Sequence, residues 1–216
     1  MSAATRPDMS VDMSAGASRA TGVPLKTVIV SGSASRPSRT LALAEQIALA
    51  LSKRAVLDLH VVDIADVGSD LGRALSRSQL SEAAERALRT VESAQILIAA
   101  TPVYRGSYTG HFKHLFDLIE QDALVDVPVI LAATGGGDKH CLVIEHQLRP
   151  LFAFLQAFAV PVGVYASHND IQDGVISSEL VRSRVALAVR QAAQLARPPR
   201  SQGVAHSLSE AALSPS

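Results

Sequence analysis

Hydrophobic and polar positions divide the chain into two kinds of alternating segment. The first kind consists of short, apolar, β-branched runs such as "KTVIVS" and "QILIAAT", each bounded by polar or glycine-rich residues. Such runs are typical of strands covered on both faces of a sheet. They predict strands over 26–31, 55–64, 94–101, 127–137 and 159–167.

In the second kind of segment, apolar residues recur every three or four positions, which is the period of an amphipathic helix. This pattern predicts helices over 38–54, 78–93, 109–121, 139–158 and 177–196. Pro150 lies inside the fourth of them, where it lacks a backbone donor and clashes with the carbonyl group of His146. We therefore expect a kink or a π-bulge at His146.

Strands that alternate with helices indicate an α/β fold built on a parallel sheet. The simplest arrangement is flavodoxin-like, a doubly wound five-stranded parallel sheet with helices on both faces; a half-Rossmann domain is the competing arrangement. The pattern does not decide the order of the strands. In either case, ligands are expected outside the carboxyl ends of the strands.

Composition narrows the class of protein. The chain has 216 residues, with 20 basic and 20 acidic side chains, so no charge excess favours nucleic acid or an anionic membrane. No apolar run is long enough for a membrane span, and the single cysteine, Cys141, suits a reducing, cytoplasmic location. Residues 1–24 and 197–216 have the composition of disordered tails, which leaves 25–196 as the folded domain.

The loop "SGSASRPSRT" follows the first strand and leads into the first helix. Backbone amides and the positive end of a helix attract anions at such a position. Hydroxyl groups of Ser33, Ser38 and Thr40 and guanidinium groups of Arg36 and Arg39 suit a phosphate monoester. The loop is neither a Walker motif nor G-x-G-x-x-G. The alternative is an ordinary polar loop with a Ser N-cap.

Two more loops follow strands at the same predicted edge. "TPVYRGSYTG" contains two of the three tyrosines, and aromatic rings beside a phosphate loop suit a flat ring system. "ATGGGDKH" contains three consecutive glycines, which allow a ligand to approach the backbone closely. Each loop alone could be a surface turn, but three such loops at one sheet edge favour a binding site.

These segments resemble a known family. "GSASRPSRT", "TPVYRGSYTGHFKHLFDLI" and "LAATGGGDKHCLVIEHQLRPLF" are similar to the NAD(P)H-dependent FMN reductases, and most of all to the reductase components of alkanesulfonate and methanesulfonate monooxygenases. The resemblance covers roughly residues 25 to 190. It implies a flavodoxin-like fold and an FMN site whose residues are Ser33, Ser38, Arg39, Thr40, Thr101, Pro102, Val103, Tyr104, Thr134, Gly135, Gly136 and Gly137.

The resemblance also implies an activity. FMN accepts a hydride from NADH or NADPH at N5, so no catalytic side chain is required. Reduced FMN then leaves for a partner monooxygenase in sulfonate sulfur assimilation, and NADH is the favoured donor. Members of this type place an inserted residue of the fourth helix at an interface, which predicts a homodimer or homotetramer with His146 at the contact.

Other classes of function stay open at this point. An FMN-containing quinone or azo reductase of the same fold would keep its flavin bound, and an FMN-binding electron carrier would oxidise little pyridine nucleotide. His111 and His114 lie three residues apart on one helix face, but neither cysteine nor carboxylate spacing completes a metal site. We therefore expect no metal.

Overall fold

A computed structural model of the chain describes residues 22–196. The predictions of disordered tails over 1–24 and 197–216 fall outside these residues, apart from 22–24, which precede the first strand. Eight strands and six helices are described. The strands are β1 Leu25–Ser31, β2 Leu57–Asp63, β3 Ile96–Pro102, β4 Pro128–Gly135, β5 Phe158–Ala159, β6 Val164–Ser167, β7 Ile171–Gln172 and β8 Val175–Ile176. The helices are α1 Arg39–Ser52, α2 Ile64–Leu71, α3 Glu82–Glu92, α4 Gly110–Leu118, α5 Arg149–Phe154 and α6 Glu179–Leu195.

The main sheet is parallel, with the order β2-β1-β3-β4 and a fifth position that β5 and β6 share beside β4. This is the flavodoxin-like order, and it confirms the predicted fold class. Alternate residues of β3 point into different cores: Leu97 and Ala99 pack under α2, α3 and α4, whereas Ile96 and Ile98 pack under α1 and α6. Helices therefore cover both faces, which is why the central strands β3 and β4 are almost entirely apolar.

The fifth strand differs from its prediction. One continuous strand over 159–167 is wrong, because the chain pairs with β4 as two pieces. Ala159 is opposite Val129 and Val164 is opposite Ala132, so the edge strand gains two residues between them. Pro161, which has no amide proton to donate, lies in this interruption.

The predicted helix over 139–158 is also wrong as a single element. A 3₁₀ turn at Asp138–His140 comes first, followed by a π-helical turn at Ile144–Leu148, and α5 ends at Phe154. Gln156 then adopts a left-handed conformation with φ of 54°, which turns the chain into β5. Pro150 lies in the first turn of α5, where a missing amide proton costs little.

Two elements were not predicted. Helix α2 begins directly after β2, and the Asp63 side chain caps it by accepting a hydrogen bond from the Ala65 amide. The β7–β8 hairpin follows β6 and turns at Asp173 and Gly174, both of which have positive φ. Neither segment is long enough for its hydrophobic period to stand out.

Candidate functional site

Four loops meet at the carboxyl ends of β1, β3, β4 and β6. They enclose a cleft of about 250 Å³. Its lining consists of Ser33, Ser35, Pro37, Ser38, Arg39, Thr40, Pro102, Val103, Tyr104, Thr134, Gly135, Gly136, Ser167 and His168. All of the residues predicted to bind the cofactor are in this lining except Thr101 and Gly137.

Those two residues lie behind the cleft. Thr101 is fully buried, and its hydroxyl group accepts a hydrogen bond from the Thr109 amide at 3.3 Å and donates to the Pro102 carbonyl at 3.1 Å. The Gly137 carbonyl accepts a hydrogen bond from the Tyr165 hydroxyl group at 2.6 Å. These three hydrogen bonds hold the loops that form the lining, so Thr101 and Gly137 support the cleft without lining it.

The first loop places the start of α1 at the cleft. The Ser38 hydroxyl group caps this helix by accepting a hydrogen bond from the Leu41 amide at 3.1 Å. Ser33 folds onto Ser35, whose amide donates to the Ser33 hydroxyl group at 3.3 Å. The first turn of α1 contains no acidic residue, so the positive end of the helix is not neutralised there.

Arg36 does not join the lining, contrary to its predicted phosphate contact. Its Nη2 lies 3.1 Å from Asp63 Oδ2 and 2.5 Å from Asp66 Oδ1. Asp63 is only 4% exposed, and burial raises the pKa of its carboxyl group above the ordinary value despite the hydrogen bond from the Ala65 amide. The two carboxylates turn Arg36 toward β2 and leave Arg39 as the arginine of the cleft.

Hydrogen bonds between elements hold the floor of the cleft. Thr40 Oγ1 of α1 lies 2.7 Å from Thr134 Oγ1 of β4, and both side chains are buried. Arg39 Nη1 lies 3.1 Å from His168 Nδ1, which follows β6. Sequence reasoning missed Ser167 and His168. The rule that ligands lie at the carboxyl ends of strands could have found them, had it been applied to the fifth strand as well.

The second loop makes a tight turn. The Tyr104 and Ser107 backbones exchange two hydrogen bonds, of 2.9 and 3.1 Å, around Arg105 and Gly106, which have φ of 52° and 83°. This two-residue turn leaves the Tyr104 side chain 52% exposed at the rim of the cleft. The Ser107 hydroxyl group donates to Gln147 Oε1 at 3.1 Å, which joins the turn to the π-helical turn.

Tyr165 fixes the glycine loop. A Cβ atom on Gly135 would lie 2.3 Å from the Tyr165 hydroxyl oxygen, so any larger residue requires the Tyr165 ring to move, whereas a Cβ atom on Gly136 would meet no atom within 4 Å. Burial raises the pKa of the Tyr165 phenol, and the nearby Asp138 charge adds to this effect. The phenol therefore stays protonated and donates to the Gly137 carbonyl.

The electrostatic character of the cleft follows from its lining. Among the described residues that surround it, the charged or chargeable ones are Arg39, His168 and Tyr104, and none is a carboxylate. Serine and threonine hydroxyl groups supply further donors. This set of donors fits a phosphate monoester beside α1, and the turn of Tyr104 and the exposed backbone of Gly136 fit a flat ring beside β3 and β4.

His146 is exposed on the π-helical turn, at the position where the Pro150 clash predicts a kink or a bulge. On the inner side of this turn, Ile144 packs so tightly against Gly163 that a Cβ atom there would approach Ile144 Cγ2 to 2.4 Å. The π-helical turn thus packs against the segment between β5 and β6. The role of His146 in assembly stays a prediction.

Two further expectations were that the chain binds no metal and does not span a membrane. Within residues 22–196, no three His, Cys, Asp or Glu side chains come together in a way that could hold a metal ion. The His114 ring instead contacts the Leu71 and Ala74 carbonyl groups through Nε2, at 2.9 and 2.8 Å. No helix in the described part of the chain has the length and apolar character that crossing a bilayer requires.

Comparisons with known proteins identify the family of this chain. The sequence model of the NADPH-dependent FMN reductase family matches residues 25–172. The chain is 54% identical to NADH-dependent FMN reductase SfnE of Pseudomonas putida, over 80% of this chain and 92% of that protein. It is 48% identical to an NADPH-type FMN reductase of Pseudomonas aeruginosa, over the same shares of the two chains.

Solved structures show the same architecture. An oxidoreductase from Corynebacterium diphtheriae superposes with a TM-score of 0.71 and 31% identity, over 80% of this chain and 97% of that one. The apo form of the NADH:FMN oxidoreductase EmoB gives a TM-score of 0.70 and 29% identity, over 82% and 92% of the two chains. The sequence match, the fold and the cleft together establish that the chain belongs to the NADPH-dependent FMN reductase family, whose members reduce FMN with a pyridine nucleotide.

Proposed function

We propose that this FMN reductase binds FMN in the cleft at the carboxyl ends of the strands. Arg39 and the start of α1 hold the phosphate group, together with Ser33, Ser38 and Thr40. The isoalloxazine ring lies between two backbone segments, 101–104 and 134–137. The observation that carries this assignment is a lining with hydroxyl and basic groups at one end, an aromatic turn and glycines at the other, and no carboxylate among its described residues.

The side chains of the cleft position the flavin and need not supply a nucleophile or a base. FMN, when bound, provides the hydride acceptor. The Thr40–Thr134 hydrogen bond joins α1 to β4, and the Tyr165–Gly137 hydrogen bond joins β6 to the glycine loop, so both restrain the lining. A rigid lining reduces the entropy lost when donor and acceptor meet. Tyr104, at the exposed rim, is placed to cover one edge of the ring.

We further propose that reduced FMN leaves for a separate monooxygenase that serves sulfonate sulfur assimilation in the cytoplasm. Two features support release. The cleft, of about 250 Å³, is smaller than an ordinary ligand pocket of about 300–1,000 Å³, and its described lining offers the phosphate a single arginine. NADH is the proposed donor, since the relative SfnE is named for it. The sulfonate assignment rests on the motif resemblance and on the high identity to SfnE.

Turnover measurements test this proposal. NADH and NADPH oxidation should depend on added FMN and should saturate with it, because the flavin is a substrate. The control is the same protein without added flavin, after washing. A washed protein that retains one tightly held FMN, and that added flavin does not accelerate, would contradict release. Such a protein with ping-pong kinetics toward a quinone would instead be a quinone or azo reductase.

We also propose that the π-helical turn faces a second copy of this chain. The supporting observation is a group of exposed apolar side chains on and around it: Leu142 is 59% exposed, Phe154 is 70% exposed and Phe158 is 43% exposed. Single exposed apolar residues are ordinary, but three along one short segment of the chain favour an interface. Sedimentation at micromolar concentration should give a dimer or a tetramer, and deletion of His146 should shift the assembly. A monomer would refute this interface.

A further inference from the structure

His168 has a position in the cleft that no sequence motif indicates. It follows β6, whose last residue, Ser167, pairs with Gly135 of β4, so the imidazole lies at the same sheet edge as the glycine loop. Its Nδ1 atom is 3.1 Å from Arg39 Nη1. A guanidinium group can only donate, so Nδ1 must accept, and the ring is neutral with its proton on Nε2 while this contact exists.

Within residues 22–196, no carboxylate forms an ion pair with His168, so its protonated form has no anionic partner there. Arg39 of α1 is a cation, and the Tyr104 phenol of the second loop is an uncharged hydroxyl donor. The nearest carboxylate along the chain, Asp170, accepts hydrogen bonds from the Ser167 amide at 2.7 Å and the Ser167 hydroxyl group at 2.6 Å. Arg36 is held by two carboxylates outside the lining. An anion that enters the cleft would therefore be the partner that the imidazolium lacks.

We propose that His168 is a second, titratable ligand of the flavin phosphate; this rests on the FMN site proposed above. When the phosphate dianion binds beside α1, His168 takes up one proton from solvent on Nδ1. The new N–H repels the Arg39 guanidinium from Nδ1, and both cations then donate to phosphate oxygens. Histidine is suited to this because it titrates near neutral pH. FMN affinity is then coupled to pH, and higher pH favours release.

The experiment compares FMN with riboflavin, which lacks the phosphate. Dissociation constants are measured by flavin fluorescence at about pH 6.5 and about pH 8.5, a range in which a phosphate monoester with a second pKa of about 6 is mostly dianionic. For the wild type, we expect FMN affinity to fall about tenfold across this range and riboflavin affinity to stay nearly constant. Calorimetry in two buffers of different ionisation enthalpy should show proton uptake with FMN alone.

The diagnostic variant is His168→Asn. The Asn carbonyl oxygen can still accept a hydrogen bond from Arg39, but the side chain cannot take up a proton. We expect this variant to lose both the pH dependence and the proton uptake while it still prefers FMN to riboflavin. The matched control is His60→Asn, because His60 is paired with Asp58 on the edge strand β2, away from the cleft. It should behave as the wild type does.

The outcomes separate the two proposals. If His168→Asn keeps the wild-type pH dependence and proton uptake, His168 is not a phosphate ligand, although the FMN site itself stands. If neither protein prefers FMN to riboflavin at either pH, the phosphate site beside α1 is wrong, and the proposal for His168 fails with it.

Discussion

Gly135 and Tyr165 provide a sharp test of how the glycine loop is held. In Gly135→Ala, the new Cβ atom would lie 2.3 Å from the Tyr165 hydroxyl oxygen, so the ring must move and its hydrogen bond to Gly137 must break. Overpacking of this kind costs about 1–3 kcal/mol. The lost hydrogen bond adds about 0.5–1.5 kcal/mol. The free energy of unfolding should therefore fall by about 1.5–4.5 kcal/mol.

Removing the hydroxyl group should rescue this variant. In Tyr165→Phe the hydrogen bond is lost, which costs about 0.5–1.5 kcal/mol. The ring atom nearest to the new Cβ atom is then Cζ of residue 165, at 3.3 Å, a contact that a small shift relieves. The double variant should thus be only slightly less stable than Tyr165→Phe alone. The two substitutions should show a favourable coupling of about 1–3 kcal/mol, as residues in direct contact do.

Urea denaturation followed by far-ultraviolet circular dichroism, without flavin, measures the four free energies of this cycle. Gly136→Ala is the matched control, because its Cβ atom would meet no atom within 4 Å and its backbone is not left-handed. It should change the stability by less than about 0.5 kcal/mol. Additive losses in the double variant would show that the Tyr165 hydroxyl group is not what excludes a side chain at Gly135.

Variants at three further positions test other contacts. Arg39→Ala should weaken FMN binding about tenfold or more, because a charge-assisted hydrogen bond contributes about 1.5–3 kcal/mol, and it should leave riboflavin binding nearly unchanged. Fluorescence titration measures the affinity for each flavin. Equal weakening for FMN and riboflavin would contradict the phosphate contact. Thr40→Val leaves the buried Thr134 hydroxyl group without its partner and should lower the unfolding free energy by about 1–3 kcal/mol. Thr40→Ser keeps a hydroxyl group at this position and should retain most of the wild-type stability. For Asp170, burial opposes ionisation, but hydrogen bonds from Ser167 outweigh it and hold the pKa below its ordinary value. The stability advantage of the wild type over Asp170→Asn should therefore be complete at neutral pH and disappear as pH falls through this lowered pKa. Urea titrations at neutral and acidic pH measure this advantage. A difference in unfolding free energy that stayed constant with pH would refute the reasoning.

The sequence predicted the sheet well and its last strand poorly, for a physical reason. Strands β1, β3 and β4 are covered by helices on both faces, so apolar residues dominate their sequences and stand out as short continuous runs. The fifth position is a strand edge, where the chain can gain residues without breaking a central ladder. Its interruption at Pro161 fits the tight packing of Ile144 against Gly163, which is a tertiary contact.

The functional site likewise contains residues that the sequence predicts and residues that only the tertiary structure brings together. Ser38, Thr40 and Gly135 could be found from sequence, because helix caps and close backbone approaches require particular residue types near the ends of strands. Arg36 and Arg39 look equivalent in the loop, and only the two carboxylates beside β2 separate them. His168 has no motif around it. It enters the site because β6 pairs with β4 in a register that brings Ser167 beside Gly135.

The amino-acid sequence by itself therefore determined three things: the fold class, the family, and which strand ends form the site. Each depends on local signals, because the hydrophobic period, helix caps and glycine requirements involve residues that are close together in the chain. Tertiary structure alone decided which side chains face the cleft. A charged side chain turns toward whichever opposite charge or carbonyl group lies nearest in space, and Asp63, Asp66 and the β4–β6 register come from elsewhere in the chain. The pairing of Arg39 with His168, which are 129 residues apart, is the clearest result of that long-range arrangement.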